Sequence, residues 1–333
     1  MIDRRAFAGI AAWGALGLAG GVLAQAPRRI ALLSHNTPLA DLIGSNPIDR
    51  YARAFVHGLR DLGWVEGRNL VIERRSAEGR PERTPAIVKE AVDLKVELLV
   101  VYGGALAQAA KQATATIPVV FVGTSDPVSH GLVASLARPG GNLTGLTMDP
   151  GNELNGKRLD LLKQLAPKTR RVACFRPSPQ AGQPLWGEKT ATAAQSLGLT
   201  LLLAAVDAVQ DFEPAFAAMQ QQRADAVFCF DTPLTLGNRR RVVDFAALRR
   251  LPAVYALRAF AEAGGLMSYS ADLAALSGRA ASYVDKILKG ADPGELPVEQ
   301  PIRFEMVLNL KTAKALGITI PHSVMLRATE VIE

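Results

Sequence analysis

The chain has 333 residues, of which 49% are hydrophobic, 21% charged and 6% aromatic, and its formal net charge is +7. This length suggests about two domains of ~150 residues, and the composition is ordinary for a globular protein that buries a core. Lysine and arginine are scattered, and their densest cluster, at 239–241, is typical of a solvated helix face. The charge pattern does not indicate a basic stripe, so we expect no nucleic-acid partner.

Residues 1–26 have the pattern of an export signal. The pair Arg4-Arg5 precedes an uncharged stretch rich in Ala, Gly and Leu, and small residues follow around Ala24. The arginine pair also fits a twin-arginine signal. We expect cleavage after Ala24 and export to the periplasm, with an uncleaved anchor helix as the alternative. No second apolar run of spanning length follows, so we expect membrane contact only through a partner.

The mature chain contains the same unit twice. In each copy a basic pair opens an apolar strand, and four further strands follow, separated by helix-length or loop segments. The predicted strands lie at 28–38, 69–76, 96–104, 117–127 and 140–148 in the first copy, and at 170–179, 199–206, 224–233, 251–260 and 264–270 in the second. Strands that alternate with helices form parallel sheets, and strands without polar alternation are buried on both faces. The predicted fold class is α/β, with two Rossmann-like lobes.

The C-terminal segment lies outside this repeat. After Tyr269 the pattern predicts a helix at 272–290, a proline-rich connector at 291–301 and a strand at 302–310. We expect these elements to strap the two lobes together by crossing between them. The predicted organisation is an export signal at 1–26, an N-terminal lobe at 27–147 and 271–295, and a C-terminal lobe at 148–270 and 296–333.

Two lobes joined in this way have one obvious ligand site, a cleft between the carboxyl ends of their strands. In the first lobe, Gly103-Gly104 and Thr124-Ser125 offer backbone amides and hydroxyl groups that suit a carboxylate. In the second lobe, Asp231 suits an ammonium group or other polar hydrogens. The tyrosines predicted as flat walls are Tyr102, Tyr255 and Tyr269.

Nucleotide binding has weak support in the sequence. The stretch 151–158 nearly matches the phosphate loop G-x-x-x-x-G-K-[ST], and it lies between a predicted strand and a predicted helix. Arg158 stands where the loop requires a metal-binding hydroxyl group, and an exported protein meets little ATP. The stretch therefore predicts a turn between the lobes and a helix start.

Acyl transfer requires a nucleophile with a nearby base. Ser125, Ser129 and His130 lie close together in sequence, but the G-x-S-x-G elbow of a hydrolase is missing. Asp126 and Pro127 instead resemble a helix start, with a capping side chain followed by proline in the first turn. The pattern favours a cap over a catalytic triad.

Cys174 and Cys229 come near the ends of equivalent strands of the second lobe. A racemase that works without a cofactor needs one cysteine on each side of its substrate, whereas both of these belong to one sheet. Core packing is therefore favoured, and whether the two thiols pair is left open. The four histidines show no metal-ligand spacing, so we expect neither a metal nor another cofactor.

Four long stretches carry a family resemblance: GLRDLGWVEGRNLVIERRSAEGRPER at 58–83, the stretch at 109–146, GKRLDLLKQLAP at 156–167, and the stretch at 251–301. They resemble the ABC-transporter substrate-binding protein family that includes tryptophan-binding members. The resemblance extends over nearly the whole mature chain. It implies the type I periplasmic-binding fold, in which three crossings join two lobes that close on a small ligand. It also implies an ABC transporter permease as the partner of an expected monomer.

The resemblance also implies which loops line the cleft. They are Ser34-His35-Asn36, Tyr102-Gly103-Gly104, Thr124-Ser125-Asp126, Asp231-Thr232 and Ser268-Tyr269. Members that bind aromatic amino acids tend to carry Asp-Asn-Thr where this chain has Asp231-Thr232-Pro233. The missing amide argues against tryptophan as the ligand.

The expected function is that of a periplasmic substrate-binding component of an ABC importer. Its ligand is a small organic molecule, with an amino acid as one candidate. The alternative is a secreted enzyme of the hydrolase or racemase kind that uses the same cleft. A sensor domain that feeds a membrane kinase would need a transmembrane helix, which the mature sequence lacks.

Overall fold

Two sheets organise the protein. The computed structural model describes residues 26–149, 153–178 and 188–333. Within these ranges the strands form one five-stranded sheet and one seven-stranded sheet, which confirms the predicted α/β class with two lobes. The predicted export signal, apart from its last residue, lies outside the described residues. None of the helices in the three ranges combines the length and the apolarity of a membrane span.

The first sheet is parallel throughout. Its strands are β1 (Arg28–Ser34), β2 (Leu70–Ser76), β3 (Leu98–Tyr102), β4 (Val119–Ser125) and β5 (Leu143–Asp149), in the order β2-β1-β3-β4-β5. The helices between them are α1 (Leu39–Leu42), α2 (Arg50–Asp61), α3 (Thr84–Asp93) and α4 (Gly104–Ala113). In β1, Ile30 and Leu32 join the core on one face, and Ala31 and Leu33 join the core on the other. The unbroken apolar run of β1 is therefore buried on both faces, as predicted.

The second sheet is mixed. Its strands are β6 (Arg171–Arg176), β7 (Thr200–Ala205), β8 (Ala226–Cys229), β9 (Ala253–Tyr255), β10 (Met267–Ala271), β11 (Phe304–Asn309) and β12 (Glu330–Ile332), in the order β12-β11-β10-β9-β8-β6-β7. The helices after β5 are α5 (Glu153–Leu165), α6 (Glu188–Ser196), α7 (Phe212–Gln221), α8 (Pro233–Gly237), α9 (Arg239–Leu248), α10 (Arg258–Glu262), α11 (Leu273–Leu288), α12 (Leu310–Leu316) and α13 (His322–Met325). Strands β6 to β10 are parallel, whereas β11 runs antiparallel to β10.

The predicted strand at 251–260 is wrong in its second half. Strand β9 ends at Tyr255, and Arg258–Glu262 forms helix α10. The chain turns because Phe260 folds back onto Tyr255, and the two rings stack with centroids 4.9 Å apart. An apolar run alone did not distinguish this short helix from a longer strand.

The chain passes between the lobes three times. The first passage lies between β5 and α5, and the second lies between β10 and α11, whose apolar face belongs to the core of the first lobe. The third passage is close to the start of β11. Glu299 still bridges to Leu146 of the first sheet, so this passage falls at 300–303.

Helix α11 returns to the first lobe by packing closely on α2. At the contact, a Cβ built on Gly58 would lie 2.8 Å from the Gly278 carbonyl oxygen and 3.0 Å from Ala281 Cβ. One end of the interface is fixed by Trp64 Nε1, which donates a hydrogen bond of 2.9 Å to Asp285 Oδ1. The two helices can approach this closely only because residue 58 has no side chain.

Substitutions at the two glycines of this contact should have opposite effects. Gly58→Val should lower the free energy of unfolding by about 1–3 kcal/mol, because the new side chain forces the helices apart. Gly278→Ala is the matched control, since its Cβ would meet only the Ala54 carbonyl oxygen at 3.7 Å. It should raise that free energy by up to about 1 kcal/mol through helix propensity. Urea unfolding measures both, and equal effects of the same sign would contradict the packing described.

Candidate functional site

The first sheet ends its strands in a row of polar residues. Ser34, Tyr102 and Ser125 are the last residues of β1, β3 and β4. Because the strands are parallel, their carboxyl ends lie together, and we call this row the first edge. The buried atoms here without a hydrogen-bond partner in the described ranges are His35 Nδ1, Asn36 Oδ1 and Thr124 Oγ1. Folded proteins pair nearly all buried polar atoms, so this edge is suited to the polar groups of another molecule.

Helix α4 adds backbone donors to the first edge. It begins after Gly103, whose φ of +87° favours glycine, and no side chain caps its N-terminus. Thr124 is fully buried. It lies next to the start of this helix, since a Cβ built on Gly104 would be 3.6 Å from Thr124 Cγ2. The amides of the first turn and the Thr124 hydroxyl group thus form one set of donors, which suits a carboxylate or another acceptor.

The second sheet places Asp231 at the carboxyl end of β8. The side chain that caps the following helix α8 is Thr232, whose Oγ1 accepts a hydrogen bond of 3.0 Å from the Thr235 amide. Asp231 is therefore not the cap, and its carboxylate is half-buried. Burial raises the pKa of the Asp231 carboxyl, and the Arg158 guanidinium partly opposes this shift. We call the carboxyl ends of β8 and β10 the second edge.

The two edges face each other. Gly237, at the end of α8, lies opposite the loop after β1, since its Cβ would be 3.6 Å from Asn36 Oδ1 and 3.7 Å from the Gly79 carbonyl oxygen. A second contact between the lobes is the ion pair of Arg50 Nη1 and Glu305 Oε1, at 3.0 Å. The two edges therefore lie opposite each other, at the place where the sequence predicts a cleft.

Arg158 is a residue of the second edge that the sequence analysis missed. It lies on α5 and is only 2% exposed. Its Nε donates a hydrogen bond of 2.7 Å to the Tyr269 carbonyl oxygen, and its Nη1 donates one of 2.7 Å to Asn155 Oδ1. Its Nη2 is buried without a partner among the described residues. Burial lowers the pKa of the Arg158 guanidinium, and the nearby carboxylates of Asp231 and Asp149 oppose this shift.

The sequence did contain a signal for Arg158. Residues 155, 158, 159 and 162 fall on one face of α5 at helical spacing, and all four are buried. A charged residue at such a position is rare in proteins unless it has a specific partner.

The prediction that Tyr255 forms a wall of the cleft is wrong. Its ring is fully buried in the core between the sheet and α9. A Cβ built on Gly265 would lie 2.5 Å from Tyr255 Cε2, and Gly265 precedes β10. The ring therefore points toward the amino end of the neighbouring strand and away from the second edge.

The predicted helix start at Asp126 and Pro127 is also wrong. The chain forms a turn there, in which Asp126 has a φ of +39° and its Oδ1 accepts a hydrogen bond of 3.2 Å from the Ser129 amide. His130 Nδ1 lies 3.0 Å from the carbonyl oxygen of Ser125 rather than from a hydroxyl group. The Ser, His and Asp residues of this segment are thus arranged around a backbone turn.

The remaining predicted residues occupy both edges. Tyr102 is half-buried, and its hydroxyl group lies 3.4 Å from the Tyr51 carbonyl oxygen. Tyr269 is half-buried at the second edge and stacks on Phe304, whereas the neighbouring Ser268 is buried within β10. The Ser34 hydroxyl group accepts a hydrogen bond from the Thr37 amide at 3.3 Å and so supports the loop that carries His35 and Asn36.

The two cysteines are buried on opposite faces of the second sheet. Cys174 belongs to the core that contains Leu159, and Cys229 belongs to the core that contains Phe212. In the register of β6 and β8, Cys174 pairs with Phe228, so the two thiols point to opposite faces and cannot form a disulfide. Burial raises the pKa of Cys174 to about 12 and also raises the pKa of Cys229. Within the described ranges, no group of three or more His, Cys, Asp or Glu residues is placed to hold a metal ion.

Two α/β lobes with mostly parallel sheets, whose strand edges face each other, define the type I periplasmic-binding fold. A family model described as ABC transporter substrate binding protein matches residues 39–332, and the chain belongs to this family. Proteins of this family bind small ligands outside the cytoplasm and deliver them to an ABC permease.

Individual relatives agree with this assignment. A tyrosine-binding protein of Clostridioides difficile is 24% identical over 285 residues, which cover 84% of this chain and 80% of the relative. A domain from Streptococcus pneumoniae, solved in complex with L-Trp, is 27% identical with a TM-score of 0.81, covering 92% of this chain and 100% of that chain. A conserved domain protein from Vibrio cholerae is 28% identical with a TM-score of 0.81, and the match covers 91% of this chain and 99% of that chain.

The cysteines provide a test of the second sheet. Neither thiol should react with Ellman's reagent in the native protein, because both are buried and their raised pKa values keep them protonated at pH 8. Both should react after denaturation without a reductant, since the chain contains 2 cysteines and we expect no disulfide. A single fast-reacting thiol in the native state would contradict the described burial.

Proposed function

We propose that this protein is the periplasmic substrate-binding component of an ABC importer, and that it closes on an amine-bearing small organic ligand of the amino-acid kind. The observation that carries the proposal is the complementarity of the facing edges. The first edge presents the uncapped N-terminus of α4 and the unpaired Thr124 hydroxyl group, and the second edge presents the Asp231 carboxylate. Hydrogen-bond donors on one edge and a carboxylate on the other suit a ligand that has both a hydrogen-bond acceptor and an ammonium group.

The relatives support an amino acid as the ligand class. One is described as tyrosine-binding and another was solved with L-Trp. Thr232 occupies the position where aromatic-amino-acid binders tend to carry asparagine, and its side chain here caps α8. This difference favours an amino acid other than tryptophan.

The same geometry supports a receptor over the enzyme alternative. A hydrolase needs a hydroxyl group within hydrogen-bond reach of a base, but His130 Nδ1 is placed against a backbone carbonyl. A racemase of the two-cysteine kind needs thiols that reach the substrate, but Cys174 and Cys229 lie within separate cores. The proposal further includes export by the signal at 1–26, monomeric action and transfer of the ligand to a membrane permease.

Ligand binding should change the shape of the protein without changing the ligand. A ligand bound at micromolar affinity supplies about 8 kcal/mol, which is enough to shift an equilibrium between open and closed lobes. Screening the twenty proteinogenic L-amino acids by melting temperature should identify binders. A binder should also lower the radius of gyration in small-angle scattering and be recovered intact by mass spectrometry.

The double variant Thr124→Ala, Ser125→Ala tests which role the first edge has. It should weaken binding without altering the fate of the ligand, because these hydroxyl groups only donate hydrogen bonds. Ser135→Ala, in an exposed loop of the same lobe, is the control and should bind like the wild type. Conversion of the ligand by the wild type that is lost in the double variant would reject a receptor in favour of an enzyme.

Asp231 provides a second test. Asp231→Asn should weaken binding of an amine-bearing ligand by about 2–5 kcal/mol, because the variant loses a charge-assisted contact in a buried site. The wild-type affinity should fall as the pH is lowered through the raised pKa of this carboxyl, since the protonated acid no longer attracts an ammonium group. Titration calorimetry at several pH values measures both effects.

The variant Asp231→Asn should lose this acid limb of the pH profile, because an amide does not titrate. Asp225→Asn is the matched control, since this carboxylate binds backbone amides at the far end of β6. Equal affinity of the wild type and Asp231→Asn at neutral pH would contradict the assigned role of Asp231.

A further inference from the structure

The proposed function leaves the buried guanidinium of Arg158 unused. A charged side chain that is 2% exposed is costly to bury unless its charge is compensated. The two acceptors it reaches, the Tyr269 carbonyl oxygen and Asn155 Oδ1, are both neutral. They orient the side chain and leave the hydrogens of Nη2 without an acceptor among the described residues.

The guanidinium is held in a fixed position. Asn155 Oδ1 accepts a hydrogen bond from Arg158 Nη1. Asn155 Nδ2 in turn donates a hydrogen bond of 3.2 Å to Thr190 Oγ1 on α6. The carbonyl oxygen of Tyr269 fixes Nε from the side of β10. The free Nη2 is therefore preorganised at the second edge, as a binding group needs to be.

The charges around Arg158 identify what kind of group fits. Asp149 is engaged at the N-terminus of α5, where its oxygens accept the Glu153 and Leu154 amides at 3.0 and 3.2 Å. Asp231 follows β8, and Arg158 is held by the Tyr269 carbonyl oxygen on β10, which is separated from β8 by β9 alone. The two side chains form no ion pair within 4.0 Å in the described ranges. A positive and a negative group thus lie at the same edge without neutralising each other.

We propose that Arg158 binds the carboxylate of a zwitterionic ligand whose ammonium group binds Asp231, so that the second lobe recognises the head group of an α-amino acid. The proposal rests on the proposed function and specifies its ligand. An α-amino acid carries an ammonium and a carboxylate group on one carbon atom, which matches two groups of opposite sign at one sheet edge. If the ligand brought only an ammonium group, the guanidinium would repel it. The first edge then meets the bound ligand from the opposite side when the lobes close.

A structural ion pair between Arg158 and Asp231 is the competing explanation, and stability separates the two. Asp231→Asn keeps the volume and leaves both hydrogen bonds of Arg158 in place. On our proposal this variant should melt, without ligand, at the same temperature as the wild type or higher. If Asp231 were mainly the structural partner of Arg158, the variant would leave the buried guanidinium without its counter-charge and should melt at a lower temperature.

The decisive experiment compares ligands as well as proteins. The probes are the L-amino acid with the largest effect on the melting temperature, its carboxamide, and the amine that lacks the carboxylate. The wild type should bind the acid at least about 30-fold more tightly than the carboxamide or the amine. Arg158→Met should lose most of its affinity for the acid and bind all three probes within a few-fold of one another.

Three further variants complete the design. Arg158→Lys keeps the positive charge but loses the planar guanidinium with its paired N–H donors. It should retain part of the preference for the acid. Asn155→Ala loosens the guanidinium and should reduce this preference less than Arg158→Met does. Lys157→Met removes a positive charge from the same helix at a half-buried position paired with Asp160, and it should behave like the wild type.

The outcomes distinguish this inference from the proposed function. Binding of an amino acid with equal affinity by the wild type and Arg158→Met would overturn the role of Arg158 and leave the receptor intact. Tight binding of an amine without a carboxylate would do the same. Failure of every probe to bind the wild type would overturn the amino-acid class itself, and with it this inference.

Discussion

The constraint on which the structure depends is that three chain passages hold two parallel sheet edges face to face. Each lobe buries its own core on both faces of its sheet, so neither lobe needs the other for its packing. What joins them is α11, which returns to α2 through the contact at Gly58, and the short passage before β11. Two of the three passages leave directly from the carboxyl ends of β5 and β10, so the segments that join the lobes also hold the two edges opposite each other.

Much of this architecture could be predicted from the sequence because it follows from local patterns. The repeated order of strands and helices indicates two parallel sheets, and unbroken apolar runs such as the one in β1 indicate burial on both faces. The end of β9 could not be predicted in this way. Its length depends on the stacking of Phe260 on Tyr255, a tertiary contact that residues in sequence order do not reveal.

The candidate site was harder to predict than the fold. The loops that form the two edges follow from strand order, so Thr124 and Asp231 could be found at strand ends. Arg158 lies on the buried face of helix α5 and not at a strand end, so a search of the strand ends does not find it. Its spacing from the other buried residues of the helix could have indicated its burial. Tyr255 was wrongly predicted to line the site. A tyrosine near a strand end can point toward the strand ends or into the core, and here the packing of its ring beside Gly265 decides for the core.

The unpaired buried atoms at the two edges connect stability with function. Each buried polar group without a partner costs about 1–3 kcal/mol, and His35, Asn36, Thr124 and Arg158 each carry such an atom. A ligand that supplies the missing partners offsets this cost, so the polar groups that would select the ligand also contribute to its affinity.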